Sequence, residues 1–356
     1  MLVSVTDLSH QSPDVARAER HDRAGRHAEA IDCLVAGARK NDIEAITRLA
    51  KRLLIGDRAP HLPREGASFL AEASELGGAE AAALLCVWLA VGMGGRRDLA
   101  GALACLVKAA QRDWRQAQAQ LLVLAGDSAD EAAQTGDAGY WQRLADRIDL
   151  ETWQVAPAAR DLNGNPLIRS FPELLAPHIC RWIIEKARGR LQPALVYDAL
   201  SRQTTTHETR TNTSAVFNLL DTDLVCVLVQ TRMAGCLGLP FRHLEAMTVL
   251  HYDVGEQITE HFDFVDPNVP NYEQQLRERG QRVVTFLVYL NDDYAGGETE
   301  FPRLDVRNKG RTGEGLFFVN AFADGSPDVR TLHAGRAPVS GEKWIVSQFV
   351  KNQPAF

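Results

Sequence analysis

The sequence has no Cys-x-x-C pair, no apolar run approaching 18 residues and no surplus of basic charge. Each absence removes a class of protein. The six cysteines, Cys33, Cys86, Cys105, Cys180, Cys226 and Cys236, are scattered, and all but the last lie inside apolar runs. That is the usage of reduced thiols in cores, not of a disulfide framework or a thiolate metal site. Without a long apolar run there is no candidate membrane helix, and no membrane partner is expected. The opening MLVSVTDLSHQSPD has no basic stretch leading into an apolar one. No signal peptide is therefore expected, and a cytoplasmic location is. A formal net charge of -7 argues against nucleic acid as the partner, since phosphate binding needs a basic surface.

What is present allows two cores. The chain has 356 residues, of which 45% are hydrophobic and 24% charged. Its first third is rich in Ala, Leu, Arg and Gln and has almost no strand signal. A period of 36 residues runs through it: Leu34, Leu70 and Leu106 are in register, as are Gly37, Ala73 and Ala109, then Ala45, Ala81 and Ala117, then Leu49, Leu85 and Leu121. Small residues recur where two helices must approach closely, and Leu recurs at core positions. Gly56 and Gly92 each close a helix. A helix-turn-helix unit of this length cannot bury its apolar face alone, so the units are expected to stack into a solenoid. This region resembles the tetratricopeptide superclass, its Sel-like branch in particular, over roughly residues 14–126. No cluster of titratable groups repeats there, which points to scaffolding or recognition.

Residues 127–165 read as a boundary. An acidic stretch of small residues leads into a short helix over Tyr140 to Ile148, and DLNGNP (Asp161 to Pro166) is turn chemistry. From about Leu167 the texture becomes α+β. Pro172 to Leu191 reads as an amphipathic helix, and Asp221 to Pro240 as a second, capped by Asp221. Short β-branched and aromatic runs follow: MTVLHYDV, QITEHFDF, RVVTFLVYLN, GLFFVN, VRTLHAG and KWIVSQFV. They predict a barrel or sandwich with the two helices on its outer face.

Two His-x-Asp triplets lie on these runs, His251-Tyr252-Asp253 and His261-Phe262-Asp263. On a strand, residues i and i+2 point to one side, so such a triplet can bring imidazole and carboxylate to one metal. Two His and one carboxylate on one face is the ligand set of non-haem iron oxygenases, which keep the remaining positions open. His333 is the only histidine after His261 and the available distal ligand.

The chain also reads YDVGEQITEHFD, RVVTFLVYLN, GGETEFP and LHAGRAPVSGEKW, in that order. These blocks resemble the prolyl 4-hydroxylase family over roughly residues 167–352. The resemblance implies a double-stranded β-helix (jelly-roll) core and an oxygenase using Fe(II), 2-oxoglutarate as cosubstrate and O2, with ascorbate as a candidate reductant. It implies His261, Asp263 and His333 as metal ligands. It also implies Lys343 and Tyr252 as partners of the distal carboxylate of 2-oxoglutarate, and Thr285 as a further cosubstrate contact. The expected division is a helical-repeat domain at 1–135, a linker with a boundary helix at 136–165 and an oxygenase domain at 166–356.

Strand parity bears on these assignments. If Tyr252 faces the interior, then His251 and Asp253 face away and are not ligands. Lys343, Ile345, Ser347 and Phe349 share one face of their strand, and Trp344, Val346 and Gln348 the other. A Lys pointing into an apolar barrel is costly unless it meets an anion, and a dicarboxylate supplies one. Phe349 stands where such hydroxylases often have Trp, which makes it a candidate substrate residue. Thr206 to Phe217 resembles the family's mobile substrate loop, with Arg210 as a candidate contact. Phe264 to Gly280 is long enough to form a lid or substrate wall. The substrate expected first is a prolyl residue of a protein or peptide, with the solenoid recruiting a protein target or pairing copies of the chain. A hydroxylase of a free or carrier-bound amino acid is the alternative, and an inactive repeat-based binding protein a remote one. A radical halogenase is disfavoured because Asp263 fills the position a halide would need.

Overall fold

The computed structural model describes residues 12–126, 139–198, 203–205, 209–269 and 272–355. The chain forms two compact units, Met1–Ile148 with Leu219–Leu224, and Asp149–Asn218 with Val225–Phe356.

The first unit is helical: α1 (Pro13–Arg23), α2 (His27–Ala38), α3 (Ile43–Ile55), α4 (Pro63–Glu75), α5 (Ala79–Val91), α6 (Leu99–Gln111), α7 (Arg115–Ala125) and α8 (Tyr140–Asp146). The helices α2, α4 and α6 begin 36 residues apart, and so do α3, α5 and α7. The leucines at 34, 70 and 106 are buried, as are the alanines at 45, 81 and 117. Close approach dictates the small residues. A Cβ on Gly37 would lie 2.6 Å from the Ala45 Cβ, so α2 and α3 touch at a point where only glycine fits. Gly56, Gly92 and also Gly126 take the left-handed conformation that ends α3, α5 and α7. Most of the acidic boundary stretch, 127–138, lies outside the described residues.

The second unit is built on strands β1 (Arg160–Gly164), β2 (Leu167–Phe171), β3 (Gln192–Pro193), β4 (Val196–Asp198), β5 (Gln203–Thr205), β6 (Thr213–Phe217), β7 (Met247–Tyr252), β8 (Ile258–His261), β9 (Arg282–Tyr289), β10 (Ala295–Gly296), β11 (Thr299–Phe301), β12 (Val306–Asn308), β13 (Gly315–Val319), β14 (His333–Gly335), β15 (Pro338–Ser340) and β16 (Lys343–Lys351). Its helices are α9 (Pro177–Arg188), α10 (Leu224–Leu237) and α11 (Tyr272–Arg279). A major sheet runs β1-β2-β13-β9-β16-β7-β6-β3 and a minor sheet β12-β11-β14-β8, the two walls of a jelly roll. Between them lies an apolar core that includes Leu250, Leu287, Phe301, Leu316, Phe318 and Ile345.

The structure differs from the sequence reading in four places. The turn residues Asp161 to Pro166 belong to a β1–β2 hairpin that extends the major sheet. Helix α9 starts at Pro177, not Pro172, because Ala176, before the proline, is held extended. Helix α10 starts at Leu224, so Asp223 and not Asp221 precedes it, and it is not amphipathic: Leu224 through Val229 are fully buried, and the polar Gln230 and Thr231 after them are buried too. The loop expected over Thr206 to Phe217 carries strand β6 at its end, paired with β7. Residues 206–208 of that loop lie outside the described residues. Among the described residues no helix is long and apolar enough to cross a membrane. All six cysteines are free thiols.

Candidate active site

A cavity of about 910 Å³ opens between the two sheets. Register decides what lines it. On the major sheet Tyr252 of β7 pairs with Lys343 of β16, and His251 pairs with Trp344. Side chains alternate, so the first pair faces the cavity and the second faces away. On the minor sheet His333 of β14 pairs directly with His261 of β8. Strand β8 ends at His261, and Asp263 follows in a bend, so the His-x-Asp triplet turns off its strand while both side chains still enter the cavity.

One donor atom from each of His261, Asp263 and His333 lies within 4.8 Å of the others. The two imidazoles are oriented alike. His261 Nδ1 meets the carbonyl of Thr259 at 2.8 Å, and His333 Nδ1 the carbonyl of Thr331 at 3.0 Å. A carbonyl only accepts, so each Nδ1 carries a proton, and each Nε2, turned to Asp263, is the atom a metal would take once its own proton is lost. His261 Nε2 lies 3.4 Å from Asp263 Oδ1 and His333 Nε2 3.3 Å from Asp263 Oδ2. Burial pushes the Asp263 carboxyl up, but the positive charge of the His333 and His261 rings when protonated, with the hydrogen bonds they then donate, outweighs it and holds the carboxyl well below the usual range. Two Nε2 atoms aimed at one carboxylate, with both rings held from behind at Nδ1, match a two-histidine, one-carboxylate iron centre.

Lys343 is fully buried. Its ammonium donates to the Gly297 carbonyl at 2.7 Å and lies 5.1 Å from the centre of the Tyr252 ring. Among the described residues no carboxylate comes within ion-pair distance of it. Burial pulls its pKa down to about 8, against a smaller upward pull from Glu298. A buried cation with a single carbonyl partner is unfavourable until an anion joins it. That demand fits the free carboxylate of a dicarboxylic acid. Gly297 is required here: its φ is +71°, and a Cβ would come within 2.9 Å of Tyr294 and 3.3 Å of the Lys343 stem. Burial also raises the Tyr252 hydroxyl, which therefore stays protonated and able to donate.

The other expected site residues are distributed unevenly. Arg210 forms an isolated bridge with Ile258 and lines the cavity, its guanidinium donating to Asn212 at 3.3 Å. Phe349 lines the outer cavity under Arg282, whose guanidinium stacks on the ring at 3.7 Å and is held by Glu245 through two bonds of 2.8 Å. Thr285 is on the inward face of β9, opposite Phe349, but does not itself line the cavity, and its hydroxyl donates to Asp263. Within Phe264 to Gly280 the chain forms α11, and Tyr272, Glu278 and Arg279 line the cavity. His251 is buried elsewhere, between Thr213 Oγ1 at 3.2 Å and Glu342 at 3.0 Å, its ring tilted against Trp344. With Asp253 and Glu342 it forms a second, partly exposed group of donors.

Several residues of the site escaped the sequence reading. Leu250, Leu287 and Ile345 form the apolar wall around Lys343, and Thr299, which accepts from Tyr289 at 2.9 Å, lines it too. Parity on β7, β9 and β16 could have found the first three. Asn320, behind Thr285, has no signal of that kind.

Residues 247–351 match the family model of the 2OG-Fe(II) oxygenase superfamily. Over 211 residues the chain is 29% identical to probable prolyl 4-hydroxylase 9 of Arabidopsis thaliana, covering 54% of this chain and 71% of that protein. It is 30% identical over 197 residues to prolyl 4-hydroxylase subunit alpha-1 of Rattus norvegicus, covering 55% of this chain but only 36% of the rat subunit. The crystal structure of a viral collagen prolyl hydroxylase from Paramecium Bursaria Chlorella virus-1, in complex with 2OG, aligns over 52% of this chain and 95% of the viral one. Its sequence identity is 24% and its TM-score 0.41. Iron(II), 2-oxoglutarate and dioxygen are the cofactor and cosubstrates of this superfamily, and the second unit of this chain is a 2-oxoglutarate-dependent dioxygenase resembling the prolyl 4-hydroxylases.

Proposed function

We propose that the chain hydroxylates a prolyl residue in a protein or peptide, with iron held by His261, Asp263 and His333. The observation that carries this is the pair of imidazoles held at Nδ1 and facing one carboxylate, in the same cavity as the fully buried Lys343, which no carboxylate among the described residues pairs with. Bound iron(II) and 2-oxoglutarate supply oxidation by dioxygen, in which 2-oxoglutarate is decarboxylated and a substrate C–H bond is hydroxylated.

The protein's own residues bind and orient. Thr259 and Thr331 hold both rings through Nδ1–H bonds to their carbonyls, which leaves Nε2 of each as the atom facing the metal. Lys343 neutralises the distal carboxylate of 2-oxoglutarate, and the Tyr252 hydroxyl donates a hydrogen bond to it. Leu250, Leu287 and Ile345 keep water from that end, which strengthens the charge pair. At the outer end, Arg210, Phe349 and α11 offer guanidinium, aromatic and polar surfaces to the substrate. A volume of about 910 Å³ exceeds what a single amino acid fills, which favours a peptide segment.

Iron-loaded protein should be incubated with 2-oxoglutarate and either proline-containing peptides or free proline and related amino acids. Mass spectrometry should find one added oxygen on peptidyl proline. Oxidation of a free amino acid with peptides untouched would overturn the peptidyl reading and favour the small-molecule alternative.

A further inference from the structure

The hydroxyl of Thr285 donates to Asp263 Oδ2 at 2.8 Å, and the side-chain amide of Asn320 donates to that hydroxyl at 2.8 Å. Both residues are buried, Thr285 at 1% exposure and Asn320 at 0%. Neither lines the cavity. Chemistry fixes the direction of this chain. A carboxylate facing two imidazoles only accepts, so the one hydroxyl hydrogen of Thr285 goes to Asp263. The hydroxyl oxygen can then only accept, and of the two ends of the Asn320 amide only the nitrogen can serve it. Asn320 Oδ1 is left buried without a partner. Turning the amide over would set an acceptor against the hydroxyl and draw its proton from Asp263. The backbone allows no escape: the Asn320 N–H donates to Val283 at 2.8 Å and its carbonyl accepts from Asp328 at 2.9 Å.

We infer that Thr285 and Asn320 are positioning residues for the metal-binding carboxylate, an inference that rests on the ligand reading above. Thr285 locks the torsion of the Asp263 side chain, because rotating the carboxylate would break its bond to the hydroxyl. Asn320 locks the hydroxyl rotor in turn. The carboxylate is thereby oriented toward both imidazoles before any metal arrives, so binding does not have to order it.

The test is calorimetric titration of the metal-free, full-length protein with Mn(II), a stand-in that needs no oxygen control, alongside the thermal midpoint of each metal-free variant. Thr285→Val, which removes the hydroxyl and little else, should weaken Mn(II) binding by about ten- to a hundredfold. Thr285→Ser should restore binding to within about threefold of the original protein, since the donor returns. Asn320→Asp should behave like Thr285→Val, because a carboxylate at 320 takes the hydroxyl proton away from Asp263. A purely structural role would lower the thermal midpoint and leave Mn(II) affinity alone. If Thr285→Val and Asn320→Asp bind Mn(II) within about twofold of the original protein while His261→Ala fails to bind, the positioning role is wrong and the ligand assignment stands. If His261→Ala binds Mn(II) as the original protein does, the ligand reading itself is wrong.

Discussion

At the scale of single residues, the buried charge of Lys343 sets stability against binding. Its pKa is about 8 in the folded chain and near 10.5 when unfolded. The unfolded chain therefore binds more protons between those values, and folded stability rises with pH across that window. Below pH 8 the full cost of burying the cation applies, an upper limit of about 3 kcal/mol. Lys343→Met should thus make the cosubstrate-free protein more stable at pH 7, measured by urea unfolding. The same change should weaken 2-oxoglutarate binding roughly a hundredfold or more, since one side of a desolvated charge pair is worth about 3–5 kcal/mol. In the unaltered protein, cosubstrate binding needs the charged amine. Affinity should hold below pH 8 and fall by about tenfold per pH unit above it. A flat titration series from pH 7 to 10 would refute the pairing. The metal ligands give the companion test. His261→Ala or His333→Ala should abolish iron binding, because two remaining ligands hold iron(II) poorly. His251→Ala should leave it nearly intact although His251, too, sits among carboxylates. Equal loss of iron from His251→Ala and His261→Ala would overturn the assignment.

At the scale of elements, period and parity were legible and closure was not. The 36-residue repeat and the helix ends at Gly56 and Gly92 were legible because stacked helix pairs need small residues at fixed contacts, and Gly37 beside Ala45 shows the contact itself. Parity on β7 and β16 separated Tyr252 and Lys343 from His251 and Trp344, since alternation is a property of any strand. The β1–β2 hairpin was read as a turn alone because a turn motif carries no information about what its flanks pair with, and here β2 pairs with β13, far along the chain. Thr285 was reached only through the resemblance, as a cosubstrate contact, and the partners of its hydroxyl stayed hidden for the same reason: Asp263 and Asn320 lie on different segments. The helix-packing argument makes its own prediction. Gly37→Val should destabilise the first unit by about 1–3 kcal/mol through overpacking. Ala73→Gly, at the equivalent place in the next repeat, should cost about 1 kcal/mol, the helix-propensity difference. Far-UV circular dichroism during urea unfolding measures both. A Gly37→Val loss no larger than that of Ala73→Gly would mean the α2–α3 contact is looser than 2.6 Å implies.

At the scale of the whole molecule, a repeat array and an oxygenase share one chain, and the chemistry sits entirely in the second unit. Every residue found to line the cavity belongs to the second unit, so the contribution of the helical unit is expected in substrate choice. A solenoid offers extended surface, and surface held near a reactive cavity raises the local concentration of whatever it binds without altering the chemistry. The comparison that isolates this uses the full chain and a chain starting at Asp149, the boundary of the second unit and upstream of β1. Both should decarboxylate 2-oxoglutarate at similar rates with a short proline peptide. On a folded protein target the shortened chain should lose kcat/KM by about tenfold or more, with the loss in KM and not in kcat. Adding the separate helical unit in excess to the full chain should slow turnover of the protein target by competition and leave the peptide reaction unchanged. Equal losses on protein and peptide would show instead that the helical unit braces the fold of the second. In that case the substrate would have to be selected by Arg210, Phe349 and α11 alone, through contacts within the cavity.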